Sequence, residues 1–240
     1  MSSFAPSRPD VGVGVVVVAA GRGLRAGAGL LKQFRAIGGV PMLLRAVRPF
    51  LIHPEVRTVV VVLPAESVAS PPDWLGSLAG DRLRIVAGGA ERIDSVEAGL
   101  VACGLEVGVI LVHDGARPFV DSGVINAVIA EAQAGRGAIA AVPVTDTLKT
   151  GSPGLGPIRV IGTVPRDGLW RAQTPQGFPR LMLAAALAAA RRDGRVATDD
   201  AALCEAIGAT VTLIEDRTTN FKVTSAADFV LAEAMAKEFR

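Results

Sequence analysis

Only four of the 25 basic residues in this 240-residue chain are lysine: Lys32, Lys149, Lys222 and Lys237. Coding bias explains the excess of arginine, but lysine supplies a compact, mobile charge that arginine does not imitate, so its placement is informative. Lys32 closes the segment Ala19 to Gln33, which follows an apolar run and holds Gly21, Gly23, Gly27 and Gly29 with Arg25. Glycines let backbone amides converge on a phosphate chain or a base edge, and Arg25 and Lys32 add two cations. Two familiar phosphate loops fit poorly. A P-loop needs Gly-Lys-Ser/Thr, whereas Lys32 lies between Leu31 and Gln33. A dinucleotide fingerprint finds Gly21, Gly23 and a permitted Ala26, but glycines break the helix that should follow, and no strand-end acid suits a ribose. A nucleoside triphosphate cradle is favoured; an ordinary glycine-rich turn stays open beside it.

Other polar groups gather where apolar runs end. Gly88, Gly89 and Ala90 turn tightly into Glu91, Arg92, Asp94 and Ser95. Free amides and a hydroxyl there could read a base edge, or Asp94 or Ser95 could simply serve the start of a helix. Arg92 reads as a surface charge or as a brace beneath the turn. His113, Asp114, Gly115 and Arg117 follow a second apolar run. An acid so placed can hold a divalent ion or sugar hydroxyls, and Arg117 can hold Asp114 or a phosphate. His113, at the join of strand and loop, reads as structural. Thr147, Lys149, Arg166, Thr174 and Lys222 read singly as well for solvated surface as for function. Together they suit a cationic cavity for a second, phosphorylated substrate.

These residues need elements to hold them. Val13 to Ala19, Val56 to Leu63 and Val107 to Val112 are valine-rich runs, the pattern of strands buried on both faces, and Leu83 to Val86 and Ile139 to Val142 are shorter versions. Between them the spacing predicts helices at Pro41 to Leu51, Glu91 to Cys103 and Ser122 to Ala134, with Pro41 as a first helical residue and Asp121 or Ser122 as a cap. A helical turn is expected at Trp74 to Leu78, and Ala20 to Gly39 is expected as loop. The alternation predicts an α/β fold: a Rossmann-like, mostly parallel sheet with helices on both faces. From Thr145 to Val164 the pattern changes to two short strands around a glycine- and proline-rich turn, a projecting β-hairpin. Such a hairpin needs a cover, so a dimerisation arm is expected. The sheet pattern resumes near Leu169. Helices follow at Pro179 to Arg192 and Asp199 to Ile207, with Thr198 to Asp200 as cap, and a strand at Thr210 to Ile214. A capping box from Ser225 to Asp228 opens the last helix. A single domain over residues 11–238 accounts for all of it.

Composition narrows the function classes. A formal charge of +2 is too balanced for a nucleic-acid coat, and Cys103, Cys204, His53 and His113 are too few for a disulfide framework or a zinc cage. No apolar stretch reaches membrane-spanning length without a charge, and the polar first ten residues do not read as a signal peptide. A cytoplasmic protein with no membrane or nucleic-acid partner is expected.

The succession of motifs carries a further meaning. Ala19 to Arg25, Lys32-Gln33, Gly88 to Arg92 with Ser95, Val112 to Pro118, Pro143 to Lys149, Thr163 to Arg166, Leu169-Trp170, Thr174 to Gln176 and Asn220 to Thr224 run in order along nearly the whole chain. In this it resembles the 2-C-methyl-D-erythritol 4-phosphate cytidylyltransferase family of the non-mevalonate isoprenoid route. The resemblance implies CTP as co-substrate, a magnesium ion to which no residue is assigned, and a homodimer whose arms complete one another's active sites. It implies that Arg25, Lys32 and Lys222 surround the triphosphate and the phosphorus under attack. Ser95, with backbone at Ala20, Gly21, Gly23, Gly88, Ala90 and Gly115, is then expected around the nucleotide. Asp114, Arg117, Thr174 and Lys222 are expected along the ribose and polyol phosphate, with Thr147 and Arg166 reaching in from a second copy. Leu31 stands where the family commonly has proline, Gly115 where it usually has alanine, and Ala90 where a polar residue is frequent. No fused cyclase is expected after the single domain. A ribitol 5-phosphate cytidylyltransferase, a UTP- or GTP-dependent sugar-nucleotide transferase, an NAD-dependent oxidoreductase and a non-catalytic interaction protein are the rival readings.

Overall fold

Valine-rich runs decide the layout. In a computed structural model, which describes residues 12–21, 31–153 and 156–238, they and four further segments form seven strands of one sheet. These are β1 (Gly12–Val18), β4 (Val56–Leu63), β5 (Leu83–Ala87), β6 (Val107–Asp114), β7 (Gly137–Pro143), β10 (Trp170–Pro179) and β11 (Val211–Glu215), in the order β11-β7-β10-β6-β1-β4-β5. Six strands pair in parallel; β10 runs antiparallel between β6 and β7. The mostly parallel sheet is as expected, while the reversed strand is not legible in the sequence.

Side chains alternate along each strand, and the two faces take different helices. Val13, Val15 and Val17 pack with α1 (Met42–Leu51) and α5 (Ser122–Gln133) through Leu43, Phe50, Ile125 and Val128. Val16, Val60 and Val62 face α4 (Arg92–Ala102), α6 (Arg180–Asp193) and α7 (Asp200–Ala206) through Val96, Leu100, Leu183 and Leu187. Gly99 lets α4 lie close on β1, because a Cβ there would run into the Val16 side chain. Short helices α2 (Ala65–Val68) and α3 (Asp73–Gly76) complete the connection between β4 and β5.

Several boundaries differ from expectation, each for a physical reason. The segment expected as loop up to Gly39 contains a 3-10 turn, Lys32–Phe34, and the first strand of a small hairpin, β2 (Ala36–Ile37), whose second strand is β3 (Val40–Pro41). Gly38 and Gly39 form its tip with φ of 57° and 76°, a two-residue turn that favours glycine at both places. Pro41 is the residue before α1, not its first, since its ψ of 134° is extended. β6 runs two residues beyond Val112, because β1 continues beside it and pairs Val17 with His113 and Val18 with Asp114. That extension fixes Asp114 at the strand's end.

The last helix, α8 (Ala226–Ala236), folds over the β2–β3 hairpin. Ile37 and Met42 are buried with Val223, Phe229 and Ala232, and the Arg35 guanidinium lies 4.0 Å above the Phe229 ring. Glu233 accepts a hydrogen bond from the Gly38 amide at 3.0 Å. The predicted hairpin is present as β8 (Leu148–Gly151) and β9 (Val160–Val164), an antiparallel sheet of its own. It leaves Ile158, Val160 and Ile161 at 65–78% exposure. Among the described residues no helix is long and apolar enough to cross a membrane.

Candidate active site

A cavity of about 320 Å³ opens where β1, β5 and β6 reach their carboxyl ends, the edge at which open α/β sheets place ligands. Ala20 and Gly21 line it after β1, Ala90 and Ser95 at the entry to α4, and Asp114 and Gly115 at the end of β6. Lys32 enters from the 3-10 turn and Lys222 from the segment before α8. Eight of the predicted site residues thus meet in one space. Gly88 lies just behind it: a Cβ there would come within 2.5 Å of Ser95 Oγ and 2.6 Å of Ala20 Cβ, so glycine keeps that wall open. Arg25 and Gly23 lie outside the described residues. Thr147 and Arg166 stand at the base of the hairpin, just outside β8 and β9, and do not line this chain's cavity; Arg166 donates to the Thr145 carbonyl.

Charge inside the cavity is arranged about Asp114. Its Oδ2 takes the Lys222 ammonium at 3.0 Å and Arg117 Nε at 3.3 Å. Burial pulls the Asp114 carboxyl upward, but Lys222, Arg117 and Arg92 outweigh it and hold the group below the usual carboxylate range. Lys32 is lowered from the ordinary lysine value, first by burial and then by the Lys222 charge, with Asp228 opposing in part. Two lysines and one ionised acid therefore converge, a setting suited to a polyanion.

Behind Asp114 lies a closed hydrogen-bond circuit. His113 is fully buried and pushed down to about 4, chiefly by burial, so its ring is neutral near pH 7. Its Nε2 is 3.1 Å from the Arg117 carbonyl, which only accepts, so Nε2 carries the proton. Nδ1 then accepts from the Thr174 hydroxyl at 3.0 Å, and that oxygen accepts from the Asp114 amide at 3.0 Å. His113 is structural, as the sequence suggests. Thr174, expected along the substrate, has its hydroxyl engaged beneath Asp114.

Three further residues at the cavity were given little weight by sequence. Gln33 donates its side-chain amide to the Ala19 carbonyl at 2.9 Å, tying the Lys32 turn to the end of β1. Arg92 lines the cavity and pairs with the buried Asp200 at 2.7 Å, which makes it the brace of the two readings offered for it. Glu91 and Asp94 form the capping box of α4. No periodicity signals the Arg92–Asp200 pair, whose members are 108 positions apart.

The donor set also limits how a metal could be held. Among the described residues no cluster of three or more His, Cys, Asp or Glu exists, and the only acids lining the cavity are Asp114 and Glu91. Glu91 is occupied in its capping box. This fits magnesium carried chiefly by phosphate oxygens with one protein carboxylate, and not an all-protein cage.

A family model for 2-C-methyl-D-erythritol 4-phosphate cytidylyltransferase matches residues 13–238. The enzyme of that name from Frankia casuarinae is 45% identical over 225 residues, 93% of this chain and 80% of its own length. The bifunctional enzyme IspD/IspF of Desulfotalea psychrophila is 39% identical over 225 residues, and the chain spans 56% of its length. The solved structure of 2-C-methyl-D-erythritol 4-phosphate cytidylyltransferase from Thermus thermophilus superposes with a TM-score of 0.74 at 38% identity, covering 95% of this chain and 98% of that one. The match begins in β1, ends beyond α8 and passes through every described segment that lines the cavity; the chain belongs to the 2-C-methyl-D-erythritol 4-phosphate cytidylyltransferase family.

Proposed function

We propose that the chain transfers CMP from CTP to 2-C-methyl-D-erythritol 4-phosphate, giving 4-diphosphocytidyl-2-C-methyl-D-erythritol and pyrophosphate. The observation that carries this reading is the convergence of Lys32 and Lys222 on one cavity beside Asp114, at a sheet edge reached by small residues.

An oxygen of the substrate's 4-phosphate forms a bond to the α-phosphorus, and the bond from that phosphorus to the bridging oxygen of pyrophosphate breaks. The nucleophile is already anionic, so no strong base is needed. The barrier is the approach of two anions, and positioned cations lower it. Lys32, Lys222 and Arg25, which lies outside the described residues, take that role. Ser95 with backbone at Ala20, Gly88 and Ala90 would select the cytosine edge. Asp114 and Arg117 would face the ribose and polyol, with Thr174 bracing Asp114 from below. When bound, magnesium neutralises charge on the triphosphate; Asp114 with the phosphates themselves would hold it.

The working form we infer is a homodimer in the cytoplasm. The apolar residues left bare on β9 and its approach support it, and Thr147 and Arg166 lie at the base of that hairpin. In a pair they would reach the second copy's cavity and bind the methylerythritol phosphate.

The test is pyrophosphate release from CTP and magnesium with methylerythritol phosphate, with ribitol 5-phosphate, and with no acceptor. Release with methylerythritol phosphate alone is expected. Release with ribitol phosphate alone would keep the nucleotide site and overturn the acceptor, and release with neither by folded protein would overturn the enzyme.

A further inference from the structure

Lys222 sits in a stretch without regular secondary structure, and the feature that holds it there is Asn220. This side chain is completely buried. Its Nδ2 donates to the Thr174 carbonyl at 2.8 Å and to Asp216 Oδ2 at 2.6 Å. Both partners are acceptors only, so the orientation of the amide is fixed by chemistry. Its Oδ1 is buried and has no partner in the structure. Asparagine here is therefore used for its two donors, which neither leucine nor aspartate of similar shape supplies. The main-chain carbonyl of Asn220 accepts from Arg117 Nη1 at 2.8 Å, and Arg117 in turn holds Asp114. On the far side of Lys222 the Val223 amide donates to the Ala116 carbonyl at 2.9 Å.

Lys222 thus hangs between two anchors. The first reaches Thr174 and Arg117, the second the loop after Asp114. We propose that Asn220 is a positioning residue: through its two donated hydrogen bonds and its carbonyl it sets where Lys222 and Arg117 stand about Asp114. This rests on the reaction proposed above. Asn220 touches no substrate in that scheme and acts only through Lys222 and Arg117.

The experiment is a double-mutant cycle in the full chain, with Asn220→Ala, Lys222→Ala and the pair, assayed by pyrophosphate release and by calorimetric CTP binding. Wild-type turnover is measured first, and its absence would sink the functional reading itself. With wild-type turnover in hand, Asn220→Ala is expected to lower kcat by about tenfold or more while CTP affinity changes by less than about threefold, and to add little once Lys222 is gone. Losses that simply multiply in the double variant, or an unchanged kcat, would overturn the positioning role and leave the reaction intact. If Asn220→Ala does not fold, Asp216→Ala takes its place in the cycle. It removes both bonds accepted by Asp216, from Asn220 and from the Arg217 amide. The same non-additivity with Lys222→Ala is expected, and plain multiplication would overturn the proposal.

Discussion

Lys32 and Lys222 both line the cavity, and burial first, then the Lys222 charge, makes Lys32 shed its proton more readily than an exposed lysine. As pH rises, the free enzyme should lose the Lys32 charge before the ordinary lysine value of about 10.4 is reached. The alkaline fall in kcat/KM for CTP should therefore lie below that value, and Lys32→Arg, which stays charged, should move it upward. An alkaline limb that does not move in Lys32→Arg would remove Lys32 from it. Lys32→Ala should lower kcat by about 100- to 1000-fold with a much smaller change in CTP affinity, the pattern of a group that acts on transition-state charge. Intact turnover with weakened binding would make it a simple anchor. Both lysines stood out in the sequence because they are rare and because each lies in a polar segment beside a predicted element. Gln33 and Asn220 did not, since a buried amide is recognised only by the acceptors it meets.

At the level of elements, the cavity depends on close approaches and on a well-started last helix. Gly88→Ala should press the new methyl on Ser95 and Ala20 and weaken CTP binding by about tenfold, or ~1.4 kcal/mol, with the fold retained. Calorimetry of CTP binding would check it, and unchanged affinity would place the nucleotide elsewhere. At α8, Asp228 accepts from the Thr224 hydroxyl and amide and the Ser225 amide, and these bonds hold its carboxyl down at about 2. The folded value lies below the unfolded one, so this contribution is complete above about pH 4 and is lost as pH falls toward 2. Asp228→Asn should cost about 1 kcal/mol near neutral pH and flatten that acid limb; urea melts at pH 6 and pH 3 would show it. The capping box at Ser225, like the strands at Val56 to Leu63 and Leu83 to Ala87, was legible because it is local. The reversed direction of β10 and the hairpin at Ala36 to Pro41 were not: direction is decided by neighbours far along the chain, and two-residue strands carry no periodicity.

For the whole molecule the question is whether one chain suffices. The arm leaves Ile158, Val160 and Ile161 bare, and Thr147 and Arg166 stand away from their own cavity. If two copies exchange arms, Lys32→Ala and Arg166→Ala proteins, each inactive alone, should recover about a quarter of wild-type activity when unfolded and refolded together, because half the pairs are mixed and each mixed pair has one intact site. No recovery, with mixed pairs demonstrated by tagging, would mean that each chain works with its own arm. The sequence could mark a hairpin, but not what would cover it, because no local pattern names a surface outside this chain's own fold.

Strand β1 is made long before Lys222 and the helix that folds over the β2–β3 hairpin. On the ribosome, β1, β4, β5 and β6 can assemble long before the second lysine emerges. A nascent chain can thus own most of its sheet and still lack the means to act on a nucleotide. Synthesis that stops short of Lys222 should yield an inert particle and not a weak enzyme, so turnover would report that translation had passed Lys222.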